Sequence, residues 1–260
     1  MNAKAIASRI GLVLAGILLF ASFAGAAEVK VMISGGFTAA LKNLAPEYER
    51  ATGNKVVIIQ GPSMGTTPEA IPNRLQRGEA TDAVIMVGYA LDNLIKQGKI
   101  VADSRADLAR SGIAMAVRAG APKPDISTVK ALKRTLLKAK SVAYSDSASG
   151  VYIQNELYPK LGIADKMKAK SKMIPAEPVG QVVARGGAQI GFQQMSELLP
   201  VKGIELVGPL PPKAQKYTVF AAGVSANAKQ PEAARALIKM LASPQAAPII
   251  KKSGMEPAGK

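Results

Sequence analysis

The chain has 260 residues, a formal charge of +16 and neither histidine nor cysteine. It is long enough for a sizeable core in one large or two small units, it can form no disulfide, and it lacks the usual zinc, iron and copper ligands and any His-assisted nucleophile. Its positive field gathers anions, but the lysines are dispersed along the chain and no nucleic-acid motif accompanies them.

Lys4 and Arg9 flank the start of the apolar run "IGLVLAGILLF", and "AGA" at 24–26 has the small-x-small form of a cleavage site. Residues 1–26 therefore read as a secretory signal peptide, too short and wrongly flanked for a spanning helix. Its loss takes the charge from +16 to +14, because Lys4 and Arg9 leave and no acidic residue does. The expected location is the periplasm.

"EVKVMISGG" alternates as a strand does, and "FTAALKNLAPEYERATG" has helical spacing closed by Gly53. "KVVIIQG" is an apolar buried strand. In "PSMGTTPEAIPNRLQRG" a polar loop enters a short helix at Pro68 or Pro72. "TDAVIMVG" and "YALDNLIKQG" follow as strand and helix. This alternation implies crossover units and a parallel sheet.

Further on, "RSGIAMAVRAGAP" is a strand, "ISTVKALKRTLLKA" a helix, "KSVAYS" a strand and "SGVYIQNELYPKLG" a helix bent or shortened near Pro159. "VGQVVARGG", "AQIGF" and "SELLP" read as helix, strand and short helix; "GIELVGPLPP" and "QKYTVFAAGVSA" are strands. The tail gives two helices, the second opened by Ser243 and Pro244. The long strands near 112–118 and 217–224 suggest a two-strand hinge. The expected division is lobe I at 27–112 and 224–260, and lobe II at 113–223.

Ligands of open α/β sheets sit beyond the carboxyl ends of the strands, where helix starts offer free N–H groups. Four segments occupy that place: "SGGFT" with Gly36, Phe37 and Thr38; "GPSMGTT" with Ser63; the loop from Asp146 through Ser149 and Gly150 into Val151 and Tyr152; and "FQQMS" with Gln193 and Gln194. Each has an ordinary reading as helix capping. Arg74, Arg77, Arg118 and Arg185 are candidate carboxylate clamps, Arg118 foremost because it ends the hinge strand. "STVK" at 127–130 matches S-x-x-K, but the K-T-G and S-D-N elements that accompany it in serine enzymes are absent.

The stretches "SGGFTAALKNLAPEYERATGNKV", "ASGVYIQNELYPKLGI" and "AEPVGQVVARGGAQIGFQQMSELLP", with the tail "ASPQAAPIIKKSGMEP", resemble the molybdate-binding-like branch of type II periplasmic binding proteins. The resemblance covers nearly the whole mature chain. It implies an α/β fold of two lobes, each a mainly parallel sheet flanked by helices and joined by a two-strand hinge. It also implies a binding protein without chemistry that delivers its ligand to the membrane permease of an ABC transporter; the expected protein is a monomer without a cofactor. Carried over, the family's first serine falls at Gly36, the second at Ser63, its backbone donors near Ser149 and Val179, and its tyrosine at Gln193 or Gln194. The departures at Gly36 and the glutamines favour a small organic polycarboxylate of the aconitate or citrate type, with molybdate or tungstate as the alternative.

Overall fold

The computed structural model describes residues 26–175 and 177–258. The signal peptide expected over 1–26 lies, but for its last residue, outside them. Among the described residues no helix is long and apolar enough to cross a membrane.

The first strand, β1 (Glu28–Ile33), feeds α1 (Gly35–Thr52), an 18-residue helix with Phe37, Leu41, Leu44 and Tyr48 on its buried face. Gly53 ends it with φ 75°, its N–H donating to the Glu49 carbonyl, the left-handed stop a glycine adopts freely. The chain continues through β2 (Lys55–Gln60), α2 (Ile71–Gln76), β3 (Ala83–Val87) and α3 (Gly88–Lys96). Pro72, not Pro68, lies in the first turn of α2.

A 13-residue strand, β4 (Ala106–Arg118), leads to α4 (Val129–Lys138), whose Thr128 hydroxyl accepts from Ala131 N–H. Next come β5 (Val142–Ser145) and α5 (Ala148–Tyr152). A π-turn over Ile153–Leu157 joins α5 to α6 (Tyr158–Lys160), with Pro159 in that last turn. Then follow α7 (Ala164–Lys168), β6 (Ser171–Ile174), α8 (Val179–Ala184), β7 (Ile190–Gln194), α9 (Met195–Leu198), β8 (Ile204–Pro209) and β9 (Tyr217–Val224). The tail is α10 (Pro231–Leu241), α11 (Ala247–Lys252) and β10 (Glu256–Pro257).

The strands run in the order β2-β1-β3-β9-β4-β7-β5-β6, with β8 and β10 also on β4. Within each end of the sheet the pairs β1–β2, β1–β3, β5–β6 and β5–β7 are parallel, as the crossover helices require. β4 is shared: Ala106–Gly112 pairs with β9, and Ile113–Arg118 with β7 and β8. Two apolar clusters correspond to these halves. One gathers Met32, Phe37, Leu41, Met86, Phe220 and Leu237; the other gathers Ile113, Leu132, Ile153, Met167 and Phe192. Deleting a fully buried ring such as Phe37 or Phe192 would cost about 3–5 kcal/mol. β9 belongs to the first cluster, since Ala83–Val87 pairs with Phe220–Val224.

Candidate functional site

A cavity of about 230 Å³ opens where the carboxyl ends of the parallel strands of both sheet halves meet. Ser34 follows β1, Gly61–Ser63 follow β2, Ser145 ends β5 with Asp146–Ser149 after it, and Gln193, Gln194 and Glu197 come from β7 and α9. Phe220 of β9 forms part of the wall. The volume lies below the roughly 300–1,000 Å³ of drug-sized sites and suits a small metabolite.

The wall presents hydroxyls. Ser63 is fully buried and its Oγ accepts from Val87 N–H at 3.0 Å, which leaves its own proton to donate. Ser145 and Ser149 face each other at 3.0 Å, so one O–H of the pair is free. Ser34 is buried with no partner for its Oγ. The Gln194 side chain donates to Thr218 Oγ1 at 2.9 Å, and its Oε1 is buried without a partner. Such unsatisfied groups cost stability unless something occupies the cavity.

Among the described lining residues there is no lysine or arginine, and there are four carboxylates: Glu69, Asp146, Glu177 and Glu197. Arg185 grips Glu177 through both guanidinium nitrogens, which holds the Glu177 carboxyl below its usual range. Glu197 is different. Burial pushes its carboxyl up to about 7; the Gln193 amide and the Gln194 backbone N–H pull against this, and the negative charge of Asp146 adds to it. Its Oε1 lies where a Cβ on Gly35 would come within 2.0 Å. Only glycine at the start of α1 admits the carboxylate of α9 there.

Five of the expected site residues, Gly36, Ser63, Ser149, Gln193 and Gln194, line this cavity. The others are employed elsewhere. Phe37 is in the first apolar cluster. The Thr38 hydroxyl donates to the Ser34 carbonyl at 3.1 Å. Gly150 packs against the Ser145 carbonyl, and Val151 is exposed. The Tyr152 hydroxyl donates to the Ala214 carbonyl at 2.9 Å, and Val179 N–H donates to Gln193 Oε1 at 2.9 Å. Arg118 sits at the exposed end of β4, outside the lining, because the strand carries it past the mouth rather than toward it. Arg74 is held by Glu79, and Arg77 reaches Glu79 and the Pro68 carbonyl. Ser127 of "STVK" donates to Asp125 and is also outside the lining.

Gly36 adds no room to the cavity: a Cβ there would lie 2.0 Å from Cζ of Phe220, whose ring fills the space. Glu197 escaped the sequence reading, since a glutamate in "SELLP" looks like a surface residue of a short helix. The preceding "QQ", which supplies its hydrogen bonds, was the available signal.

Residues 29–256 match the family model of bacterial extracellular solute-binding proteins, and the chain belongs to that family. It is 56% identical over 227 residues to an aconitate isomerase from Pseudomonas sp., covering 87% of each chain. It is 29% identical over 247 residues to the molybdate-binding protein ModA of Azotobacter vinelandii, covering 91% of this chain and 92% of that one. In three dimensions it superposes on the periplasmic molybdate-binding protein of Azotobacter vinelandii with a TM-score of 0.70 at 21% identity, covering 87% and 98% of the two chains. Its TM-score is 0.66, at 17% identity, with PEB3 bound to L-phospholactate, covering 88% and 99%; PEB3 is a Campylobacter jejuni protein. These structures agree with the mixed α/β fold. The similarity to an isomerase overturns the expectation of a protein without chemistry that captures an anion for a transporter: at 56% identity over most of both chains, the relative is an enzyme.

Proposed function

We propose that the chain is an isomerase of an unsaturated tricarboxylate, aconitate or a close analogue, with Glu197 as its acid–base group. The observation that carries the reading is Glu197 itself: a carboxyl in a small cavity, raised to about 7, where it can take and return a proton near neutral pH. The aconitate isomerase relative supports the choice of substrate.

Aconitate carries a double bond next to a methylene. Ionised Glu197 would take a methylene proton, and the electron pair left behind would spread over the three-carbon allyl unit and its carboxylates. The bond between the central carbon and the former methylene then gains double-bond character, while the original double bond loses it. Protonated Glu197 returns the proton at the far carbon. Atoms balance, the double bond has moved by one position, and the geometry depends on which rotamer of the delocalised anion is held. Hydroxyls of Ser34, Ser63 and the Ser145–Ser149 pair would hold the carboxylates and stabilise the added charge.

Two further readings accompany this one. The two sheet halves form two lobes joined through β4 and the segment that enters β9, with a division at 27–112 and about 217–258 against 113–216; β9 goes with the first lobe because it pairs with β3 and with Ala106–Gly112 of β4. Residues 1–26 direct the protein to the periplasm.

The test is to add each geometric isomer separately in heavy water and follow it by NMR. Both should reach one equilibrium mixture and take up deuterium at the methylene and vinyl positions. Glu197→Gln should lower the rate by about 10²–10⁴-fold. Binding of both isomers with no interconversion by the wild-type chain would overturn the proposal.

A further inference from the structure

Gln193 is buried, with 4% of its surface exposed, and its side-chain amide is used at both ends. Its Oε1 accepts from Val179 N–H, the first residue of α8, at 2.9 Å. Its Nε2 donates to Glu197 Oε1 at 3.0 Å. A backbone N–H can only donate, so the oxygen of the amide must face Val179 and the NH₂ must face Glu197. A reversed amide would set two N–H groups against each other at Val179 and two oxygens at Glu197. The orientation is thus dictated by α8, and the group presented to Glu197 is always a donor.

We infer that Gln193 is a positioning residue: locked by the start of α8, it fixes the plane of the Glu197 carboxylate against Gly35 and favours its ionised, proton-accepting form. This rests on the acid–base role proposed for Glu197. The other groups that set the field there are few. Asp146 acts on Glu197 from the loop between β5 and α5, the Gln194 N–H comes from β7, and Glu69 and the Arg185-bound Glu177 lie elsewhere in the lining. The first turn of α1 carries no acidic residue, and Gly35–Thr38 contains no charge. On β4, Asp107 and Arg110 are paired with Arg105 and Glu256, and Arg118 lies at the exposed end.

The experiment is a pH profile of Gln193→Leu, which removes both bonds at similar volume. The expected result is an upward move of the low-pH inflection in kcat by about one pH unit, since a hydrogen bond to a charged group is lost. KM should stay within about threefold. Val179→Pro is the second variant: proline fits a first helical position and deletes the N–H that orients Gln193. It should move the inflection in the same direction by less, and it carries the test if Gln193→Leu does not fold.

A second readout needs no turnover. The pH midpoint of folding stability should rise by the same amount in Gln193→Leu, and the rise should vanish in a Glu197→Gln background. An unmoved inflection and midpoint, with kcat or stability lowered equally at every pH, would overturn the inference. A wild-type chain without isomerase activity would sink the proposed function, while the stability midpoint would still decide whether Gln193 sets the state of Glu197.

Discussion

Glu197 keeps an oxygen against Gly35 and two donors on its carboxyl, yet burial leaves its proton affinity well above the ordinary 4.5. The folded chain therefore binds a proton that the unfolded chain has released between pH 4.5 and about 7. Its contribution to stability is complete below about 4.5 and is lost as pH rises through about 7, amounting to roughly 3 kcal/mol at most. The chain has no histidine, so few other groups titrate in that window. Urea midpoints at pH 5 and pH 8 should differ in that direction for the wild type and converge for Glu197→Gln. The serines make a separate prediction. Neither Ser63 nor Ser149 caps a helix: one accepts from Val87 N–H and the other faces Ser145. Ser63→Ala and Ser149→Ala should each weaken tricarboxylate affinity about tenfold, measured by calorimetry, because each removes a hydrogen bond to a charged group.

At the scale of elements, α1 and β9 meet where Gly36 lies under Phe220. The ring is 2% exposed and packed in the first apolar cluster, so displacing it costs packing. Gly36→Ser, which sets a side chain against that ring, should cost about 1–3 kcal/mol of overpacking. Phe220→Ala alone leaves a hole, but in the double mutant the serine should recover part of the loss. A double-mutant cycle in urea would show that coupling, and additive costs would show that the two elements do not press on each other. Much of this architecture was legible from short-range pattern: the strand–helix alternation, the stop at Gly53, and the placing of the candidate loops at strand ends; Ser243 and Pro244 open only a 3-10 turn, and α11 begins after it at Ala247. What escaped was short or depended on distant contact. β6 is four residues, "SKMI", inside a lysine-rich stretch without periodicity. Glu197 sits in a four-residue helix, and what singles it out is Gly35, far away in the chain. The pressure of Phe220 on Gly36 was equally hidden, since no local spacing records which ring will fill a missing side chain.

For the whole molecule, the charge of the chain and the charge of the cavity have opposite signs. The chain carries +16, while the described cavity wall offers hydroxyls, amides and carboxylates and no cation. Under the proposed reading, a substrate with three carboxylates is drawn in by the field of the whole surface and then held by neutral donors. The two stages respond differently to salt. The field is screened over about 30 Å at 0.01 M ionic strength and about 8 Å at 0.15 M, so the encounter should weaken as salt is added. Bonds to buried donors inside the cavity are screened far less. Across that range kcat/KM should fall several-fold, with kcat nearly unchanged. A tricarboxylate esterified at one carboxyl should show a shallower fall, because it carries less charge to steer. Steady-state rates in sodium chloride, with both substrates on the same preparation, make the comparison. If kcat fell in parallel with kcat/KM, salt would be acting on the chemistry at Glu197. If neither changed, the surplus of lysines would serve solubility and not capture.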